Sequence, residues 1–357
     1  MQGDLNVKIK MVDVARYLGV SKATVSLAVN GKPGVNEETR KKVLACIEEM
    51  EKNGGKIRQA DGSSTMDNGQ QAANQRMAHR LIKVLIVNHR KQVVCDPEMD
   101  LWSAVLTTFD EEARKRGYLY GLTYLNETDE EVSAVIEECN VDLVAGVILF
   151  ATEMQPEDYH ILEKIKKPIV VYDYEMPDGE YSSVCIDNTG AVKKGLDLLY
   201  RSGVQNVKYL CTGKNIYNFQ KRKETFQNTL IRNEYMPTKS DIVELGMTIP
   251  KITANMLEWL DTHPLPDGFL FENYQVSIGV MTALRRVGIH IPGRVKVVGI
   301  DEIPEYILPD VKLTQIKIPH AERASMAMEL LDKEITGQWN AKIKVFAEPE
   351  VIMRNSL

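Results

Sequence analysis

From residue 82 onward the sequence alternates between short apolar runs and longer amphipathic stretches, and this alternation restricts the fold more than any other feature. The runs Ile82–Val87, Leu119–Leu125, Gly146–Phe150, Ile169–Tyr172, Val207–Cys211, Gly268–Phe271 and Val295–Gly299 are almost continuously apolar. Strands of a parallel sheet read this way when helices cover both faces. Leu101–Arg116, Glu130–Glu138, Glu157–Lys166, Thr189–Ser202, Phe219–Arg232, Ile252–Leu260, Val276–Val287 and Glu322–Thr336 read as the intervening helices. Gly117, Gly203, Gly288 and Gly337 stand just beyond four of them, where helix C-caps occur. The pattern predicts doubly wound α/β layers with right-handed crossovers. About 270 residues is long for one such sheet, so two lobes with a cleft between them are expected. Ligands of open α/β sheets sit at the carboxyl ends of the strands.

The residues before this region differ in kind. Residues 1–81 carry 13 Lys+Arg against 9 Asp+Glu, a net of +4, so the remainder of the chain carries −10 of the total −6. A small basic head on a large acidic body implies that only the head meets a polyanion. The segment 54–80 is rich in Gly, Ser, Asp, Asn and Gln, with Ile57 and Met66 nearly its only large apolar residues before Met77. It buries too little surface to offset its chain entropy and reads as a flexible linker. The domain reading is therefore a helical head over 1–53, a linker over 54–81 and a two-lobed body over 82–357.

Composition excludes several classes. With 44% hydrophobic residues the chain is not globally disordered, and no apolar run approaches the ~20 residues a bilayer requires. Met1–Lys10 is too polar for a signal peptide. Five cysteines, an odd number without CxxC spacing, fit reduced thiols in a cytoplasm better than a disulfide framework or a zinc site. No cofactor or metal is expected, because the six histidines show no ligand spacing. No GxSxG, Walker or HExxH motif is present, so the chain does not read as an enzyme.

Met11 to Gly31 is the most informative stretch of the head. Asp13 can cap a first helix ending near Leu18, Gly19 permits a tight left-handed turn, and Ser21 is a suitable N-cap for a second helix. Ala15, Leu18, Val20, Val25 and Val29 then fall where two crossed short helices share a core. Lys22, Ala23 and Ser26 are left on the outer face of the second helix. A recognition helix enters a major groove with this geometry. A third helix, Glu37–Glu51, follows, with Val43, Leu44 and Ile47 as its apolar stripe.

The runs Val12-Asp13-Val14-Ala15, Gly19-Val20-Ser21, Thr24-Val25-Ser26, Asn30-Gly31, Val35 and Thr39-Arg40-Lys41-Lys42-Val43 resemble the DNA-binding head of the LacI/GalR family of bacterial transcription regulators. The resemblance implies phosphate contacts from Ser21, Thr24 and Asn30, and base contacts from Lys22 and Ala23. Lys can donate to guanine acceptors, and Ala can touch a thymine methyl. Leu27 stands where the family often has Arg, which implies a different preferred operator. The usual Tyr-x-Pro-Asn entry to a hinge helix is absent after Met50. Asn74, Ala78 and Leu81 echo the hinge only weakly. Leu81 reads as strand core rather than as a minor-groove wedge, and Met77 is a still weaker wedge candidate.

The body resembles the family's effector domain, a type I periplasmic-binding-protein-like fold. The resemblance rests on Pro168–Asp173, Val184–Asn188 with Gly195, Arg222, Asn273, Val297–Asp301 and a closing strand over Phe346–Met353. Asp173, Arg222, Asn273 and Asp301 are the polar effector candidates, and Trp102 is a candidate stacking platform. Carboxylates and an Arg facing one cleft suit vicinal hydroxyls. A small-molecule effector, with a carbohydrate favoured, is the implied ligand, although Tyr274 and Thr225 depart from the family pattern around the site. The other implied partners are double-stranded operator DNA of palindromic sequence and a second copy of the chain, because one head contacts too little DNA for useful specificity. The competing reading is a solute-binding or carbohydrate-active protein whose helical head does not bind DNA.

Overall fold

The computed structural model describes residues 11, 14–15, 22–32, 37–52, 80–88, 101–125, 129–177, 179–232, 238–307 and 311–357. The chain divides into two compact units, Met1–Asn68 and Gly69–Leu357.

In the first unit Met11, Val14 and Ala15 are helical, and two further helices follow, α1 (Lys22–Val29) and α2 (Glu37–Lys52). Val14, Ala15, Val25, Ala28, Val43 and Cys46 form a small core, with Ile47 packed on it. Two expected core residues are corrected here. Val29 is 39% exposed and Leu44 is 45% exposed. In α1 the inward step from Val25 is three residues, to Ala28, and in α2 the stripe runs Val43–Cys46–Ile47, as a 3.6-residue period allows. Asp13, Leu18, Gly19, Val20 and Ser21 lie outside the described residues, as do Asn74, Met77, Ala78 and most of the linker.

The second unit holds two six-stranded sheets. Its elements in chain order are β1 (Leu81–Val87), α3 (Leu101–Lys115), β2 (Leu119–Leu125), α4 (Asp129–Asn140), β3 (Val144–Phe150), α5 (His160–Lys164), β4 (Ile169–Tyr172), β5 (Ser182–Ile186), α6 (Asn188–Arg201), β6 (Val207–Cys211), α7 (Tyr217–Arg232), β7 (Ile242–Glu244), α8 (Ile249–Thr262), β8 (Gly268–Phe271), α9 (Tyr274–Arg286), β9 (Lys296–Ile300), β10 (Thr314–Lys317), α10 (His320–Ile335), β11 (Lys344–Ala347) and β12 (Glu350–Ile352). The first sheet has the order β11-β5-β4-β3-β1-β2 and the second β12-β10-β9-β8-β6-β7. All recorded pairings are parallel except β10 with β12. The two sheets thus repeat one doubly wound order, and β4 and β9 hold equivalent places.

The apolar runs are continuous because both faces of each strand are covered. On β1, Leu85 and Val87 join one core while Ile82, Val84 and Ile86 join the core on the opposite face. Lys83 is buried in the middle of this strand and reaches Glu138 on α4 with a 2.5 Å ion pair. Leu81 opens β1 and packs on the same core as Leu85. Gly117, Gly203, Gly288 and Gly337 all have φ between 69° and 90°, a left-handed conformation that ends helices at little cost for glycine.

The chain passes between the lobes at Asp187, at Ile318–Pro319 and between Ala347 and Glu350. The third passage corrects the expected single closing strand. Phe346–Met353 is split between two sheets, with β11 paired to β5 and β12 paired to β10. Pro349 lies at the break, and proline has no N–H to offer a ladder. The short strands β5, β7 and β10 belong to neither list of expected runs, because Ser182, Ser183, Thr314 and Gln315 interrupt their apolar character.

Helices α8 and α9 pack closely across Gly279, where an added Cβ would lie 2.6 Å from Ile252 Cγ2 and 3.2 Å from the Ile249 carbonyl. Gly279→Ala gains roughly 1 kcal/mol of helix propensity but overpacks this crossing at a cost of roughly 1–3 kcal/mol. The net expectation is a lowered melting temperature in thermal unfolding. An unchanged or raised value would show that the crossing yields freely.

Candidate functional site

Two sites merit description, one in each unit. In the head, Lys22 is exposed on the first turn of α1, while Thr24, Ser26 and Leu27 are half-buried. Asn30 is exposed just past the helix, and its Nδ2 donates to the Ser26 carbonyl at 2.7 Å. Gly31 follows with φ +66°. Arg40 on α2 donates to the Lys32 carbonyl at 2.8 Å, which ties the turn to the next helix. Lys22, Lys32, Lys41 and Lys42 are all exposed. Ala23 lies in α1, but its side chain is outside the described residues, and so is all of Ser21.

In the body, carboxyl ends of strands from both sheets bring polar side chains into one cluster between the lobes. Asp173 follows β4 and Asp301 follows β9, the equivalent strand of the other sheet. Both adopt a left-handed backbone, with φ 71° and 74°. Asp tolerates this region better than most residues, yet a non-glycine residue held there costs on the order of 1–3 kcal/mol. Their backbone N–H groups donate in the same way, Asp173 to Val184 O at 2.9 Å and Asp301 to Ile316 O at 3.0 Å.

The Asp173 carboxylate accepts three bonds, from Thr152 Oγ1 at 2.6 Å, Asn218 Nδ2 at 3.0 Å and Arg323 Nη2 at 2.6 Å. Arg222 on α7 donates from Nε to Asn188 Oδ1 at 2.9 Å, from Nη1 to the Glu272 carbonyl at 2.6 Å and from Nη2 to Asp301 Oδ1 at 3.4 Å. Asn188 in turn donates to Asn218 Oδ1 at 2.7 Å. One hydrogen-bonded chain therefore runs from Arg323 through Asp173, Asn218, Asn188 and Arg222 to Asp301. Asn273 N-caps α9 by accepting from the Val276 N–H at 3.0 Å, and its buried Nδ2 has no partner among the described residues. Arg323 Nε is likewise buried without one.

The expected residues Asp173, Arg222, Asn273 and Asp301 are thus brought to one cluster. Trp102 lies on α3, and its side chain is outside the described residues. Tyr274 opens α9, and Thr225 lies 3.3 Å from Thr189, hydroxyl to hydroxyl. Sequence reasoning passed over Arg323, which is fully buried with its guanidinium 4.5 Å above the Tyr172 ring. The signal was there. Arg323 falls on the apolar stripe of α10 that continues through Ala327, Leu330 and Leu331, where a charge needs a buried partner. Asn188, Asn218 and Glu272 were also missed. A separate cavity of about 330 Å³, lined by Arg285, His290, Ile291 and Val311 among others, shares no residue with this cluster.

Two groups titrate far from their ordinary range, the buried Glu272 and the half-buried His320. Burial pushes the Glu272 carboxyl up from 4.5 to about 7, against bonds from Thr212 N and Oγ1 and the nearby Arg222 and Lys223. Burial pushes His320, the first residue of α10, down from 6.5 to about 4, with Arg323 and Arg222 adding to the shift and Asp301 and Asp173 opposing it. Glu272 makes the folded chain bind more protons than the unfolded chain between pH 4.5 and 7, so its contribution to stability falls as pH rises there. His320 does the reverse between pH 4 and 6.5, where the unfolded chain binds more protons and stability rises with pH. Each effect reaches at most about 3 kcal/mol, and the two oppose each other.

The comparisons agree with this architecture. Residues 10–51 match the model of bacterial regulatory proteins of the lacI family, and residues 196–357 match the periplasmic binding protein-like domain. The chain is 25% identical over 358 residues to the HTH-type transcriptional regulator GalS of Salmonella typhimurium, covering 98% of this chain and 96% of that protein. It is 24% identical over 347 residues to the HTH-type transcriptional repressor CytR of Escherichia coli, covering 97% and 95%. Among solved structures, the Lac repressor dimer bound to operator and the anti-inducer ONPF superposes with a TM-score of 0.68 at 19% identity over 98% of both chains. A CelR–cellobiose complex superposes with a TM-score of 0.67 at 19% identity over 98% of this chain and 100% of that one.

Unfolding measured across pH 4–8 checks the opposed protons. Glu272→Gln should leave a stability that climbs from pH 4 to 6.5, and His320→Gln one that declines from pH 4.5 to 7. Parallel profiles for both variants and the parent would show that neither group is shifted as described.

Proposed function

We propose that this chain, which belongs to the LacI/GalR family of ligand-responsive, DNA-binding transcriptional regulators, is a homodimeric repressor whose body binds a small polyhydroxylated effector. The observation that carries the effector reading is the set Arg222, Asn273 and Asp301. Their donors and acceptors meet at carboxyl strand ends in a cleft between lobes, the place where open α/β folds bind ligands. Asp301 receives only the 3.4 Å contact from Arg222 among the described residues, and its side chain keeps 11% exposure, against 3% for Asp173. It retains room to accept a ligand hydroxyl, and the unpartnered Asn273 Nδ2 is suited to donate to one. Asp173 opposes them from the first lobe, and Trp102 supplies a stacking face. The name of the ribose operon repressor and the cellobiose bound to CelR, both relatives in sequence or fold, support a carbohydrate as the effector class.

The head, 1–53, reads DNA. Lys22 and Ala23 contact base edges, and Ser21, Thr24 and Asn30 contact phosphates. Ser26 and Leu27 complete the groove-facing surface. Asn30 keeps its side-chain carbonyl for this role, its amide nitrogen donating to the Ser26 carbonyl and hydroxyl. Residues 54–81 connect head to body, and with Leu81 committed to β1, the connection lacks the usual leucine wedge. The described residues contain no helix long and apolar enough to cross a membrane, and the chain works in the cytoplasm as a regulator rather than an enzyme. Effector binding in the cleft changes how the two lobes meet, which alters the dimer and, with it, the spacing of the two heads. Ligand and operator then change each other's affinity reciprocally.

Selection of binding sites from random duplex DNA by the purified chain should return a palindromic consensus, with affinity that falls steeply as salt rises. Lys22→Ala should weaken binding and relax one position per half-site by ~1–3 kcal/mol. Equal losses on every sequence would remove Lys22 from the base-reading set. Arg222→Ala should abolish the thermal shift produced by whichever sugar or nucleoside stabilises the parent, while DNA binding persists. An undiminished shift would misplace the effector site.

A further inference from the structure

We infer that Asp173 is the hub of a latch that ties the two lobes together through protein side chains, so that an effector entering the cleft competes with this latch instead of creating the closure. The inference rests on reading the cleft as the effector site.

The contacts divide cleanly by lobe. Thr152, Asp173, Tyr174 and Glu175 follow strands β3 and β4 of the first lobe, and α10 with Arg323 packs on the same sheet. Residues 215–218, at and just before the start of α7, belong to the second lobe. Across the divide, Asn218 Nδ2 donates to Asp173 Oδ2 at 3.0 Å and reaches the Asp173 carbonyl at 3.3 Å. Tyr217 donates its hydroxyl to Glu175 Oε2 at 2.5 Å, and its ring lies 4.9 Å from that of Tyr174. Gln155 Nε2 donates to the Asn215 carbonyl at 3.1 Å. Asn215, Tyr217 and Asn218 of one lobe therefore dock on the loops of the other.

Asp173 sets the strength of this junction. A carboxylate offers about four acceptor positions, and Thr152, Asn218 and Arg323 already occupy three of them. The Asp173–Arg323 pair is buried on both sides, with side-chain exposures of 3% and 0%. Arg323 orients the carboxylate from the first lobe, and Asn218 binds it from the opposite lobe. Asn218 also accepts from Asn188, the first residue after the chain's first passage between lobes, so the latch is joined to the hinge. One acceptor position remains, so a ligand that makes more than one bond to Asp173 must displace one of these donors. Arg323 and Asn218 are therefore positioning residues for the closed cleft.

Amide hydrogen exchange of the full chain, with neither DNA nor any small molecule present, tests the latch. Arg323→Met alters only the first-lobe side of the hub. It should nevertheless speed exchange about tenfold at Gln220, whose N–H bonds Ile216 O in the second lobe, as loss of a charge-assisted bond predicts. Asn218→Ala leaves the Asp173–Arg323 pair intact and should speed exchange similarly at Met154 and Asp158 in the first lobe. Strands β3 and β8 should be unchanged in both variants. Faster exchange confined to the lobe that carries the substitution overturns the latch. Should Arg323→Met not fold, Asn218→Ala decides on the same readout. Because no DNA or effector is used, failure here leaves the regulator reading standing, and failure of that reading leaves this result intact.

Discussion

The body is organised around a buried ion pair, Arg323 with Asp173, at 2.6 Å. Removing two charges from water costs several kcal/mol each, and such a pair is sustained only when its remaining valences are met. Thr152, Asn218 and the Val184 carbonyl meet most of them, and the Tyr172 ring covers the guanidinium face. That requirement draws together the ends of β3 and β4, the start of α10 and the start of α7. These elements come from both lobes. The demand to satisfy one buried pair thus shapes the cleft in which the regulatory chemistry is proposed to occur.

The duplicated topology adds a second constraint. Because the sheets share one strand order, Asp173 and Asp301 occupy equivalent positions and adopt the same left-handed turn. Their environments then diverge. The Asp173 carboxylate accepts three bonds, from donors of both lobes, whereas that of Asp301 has one long contact with Arg222. Equivalent backbone positions thus carry carboxylates in unlike surroundings, with side-chain exposures of 3% for Asp173 and 11% for Asp301. Burial displaces the protonation of Glu272 and His320 in opposite senses, raising the carboxyl and lowering the imidazole.

Much of this was legible in the sequence, for identifiable reasons. Seven apolar runs marked strands because parallel strands covered on both faces carry no polar alternation, and glycines after helices marked their ends. The four cleft residues were legible because each ends a strand or lies on the helix after one. Short strands such as β5 and β7 were not, since Ser182 and Ser183 or a three-residue length leave no apolar run to find. Phe346–Met353 misled because two short apolar pieces, separated by Glu348, Pro349 and Glu350, serve two different sheets. Val29 and Leu44 misled because a helix offers adjacent apolar residues on different faces, and their neighbours Ala28 and Val43 are the ones that face inward. Arg323 was hidden for the opposite reason. Its partner, Asp173, is 150 residues away, and only the tertiary fold shows that a charge on an apolar stripe is matched.

The central claim is that a DNA-reading head and an effector cleft share one set of conformations. Measuring the effector's affinity with and without the selected operator, and the operator's affinity with and without saturating effector, addresses it most directly. The account predicts that the two affinity ratios differ from one and equal each other. Ratios of one in both directions, from a chain that binds each ligand, would contradict it.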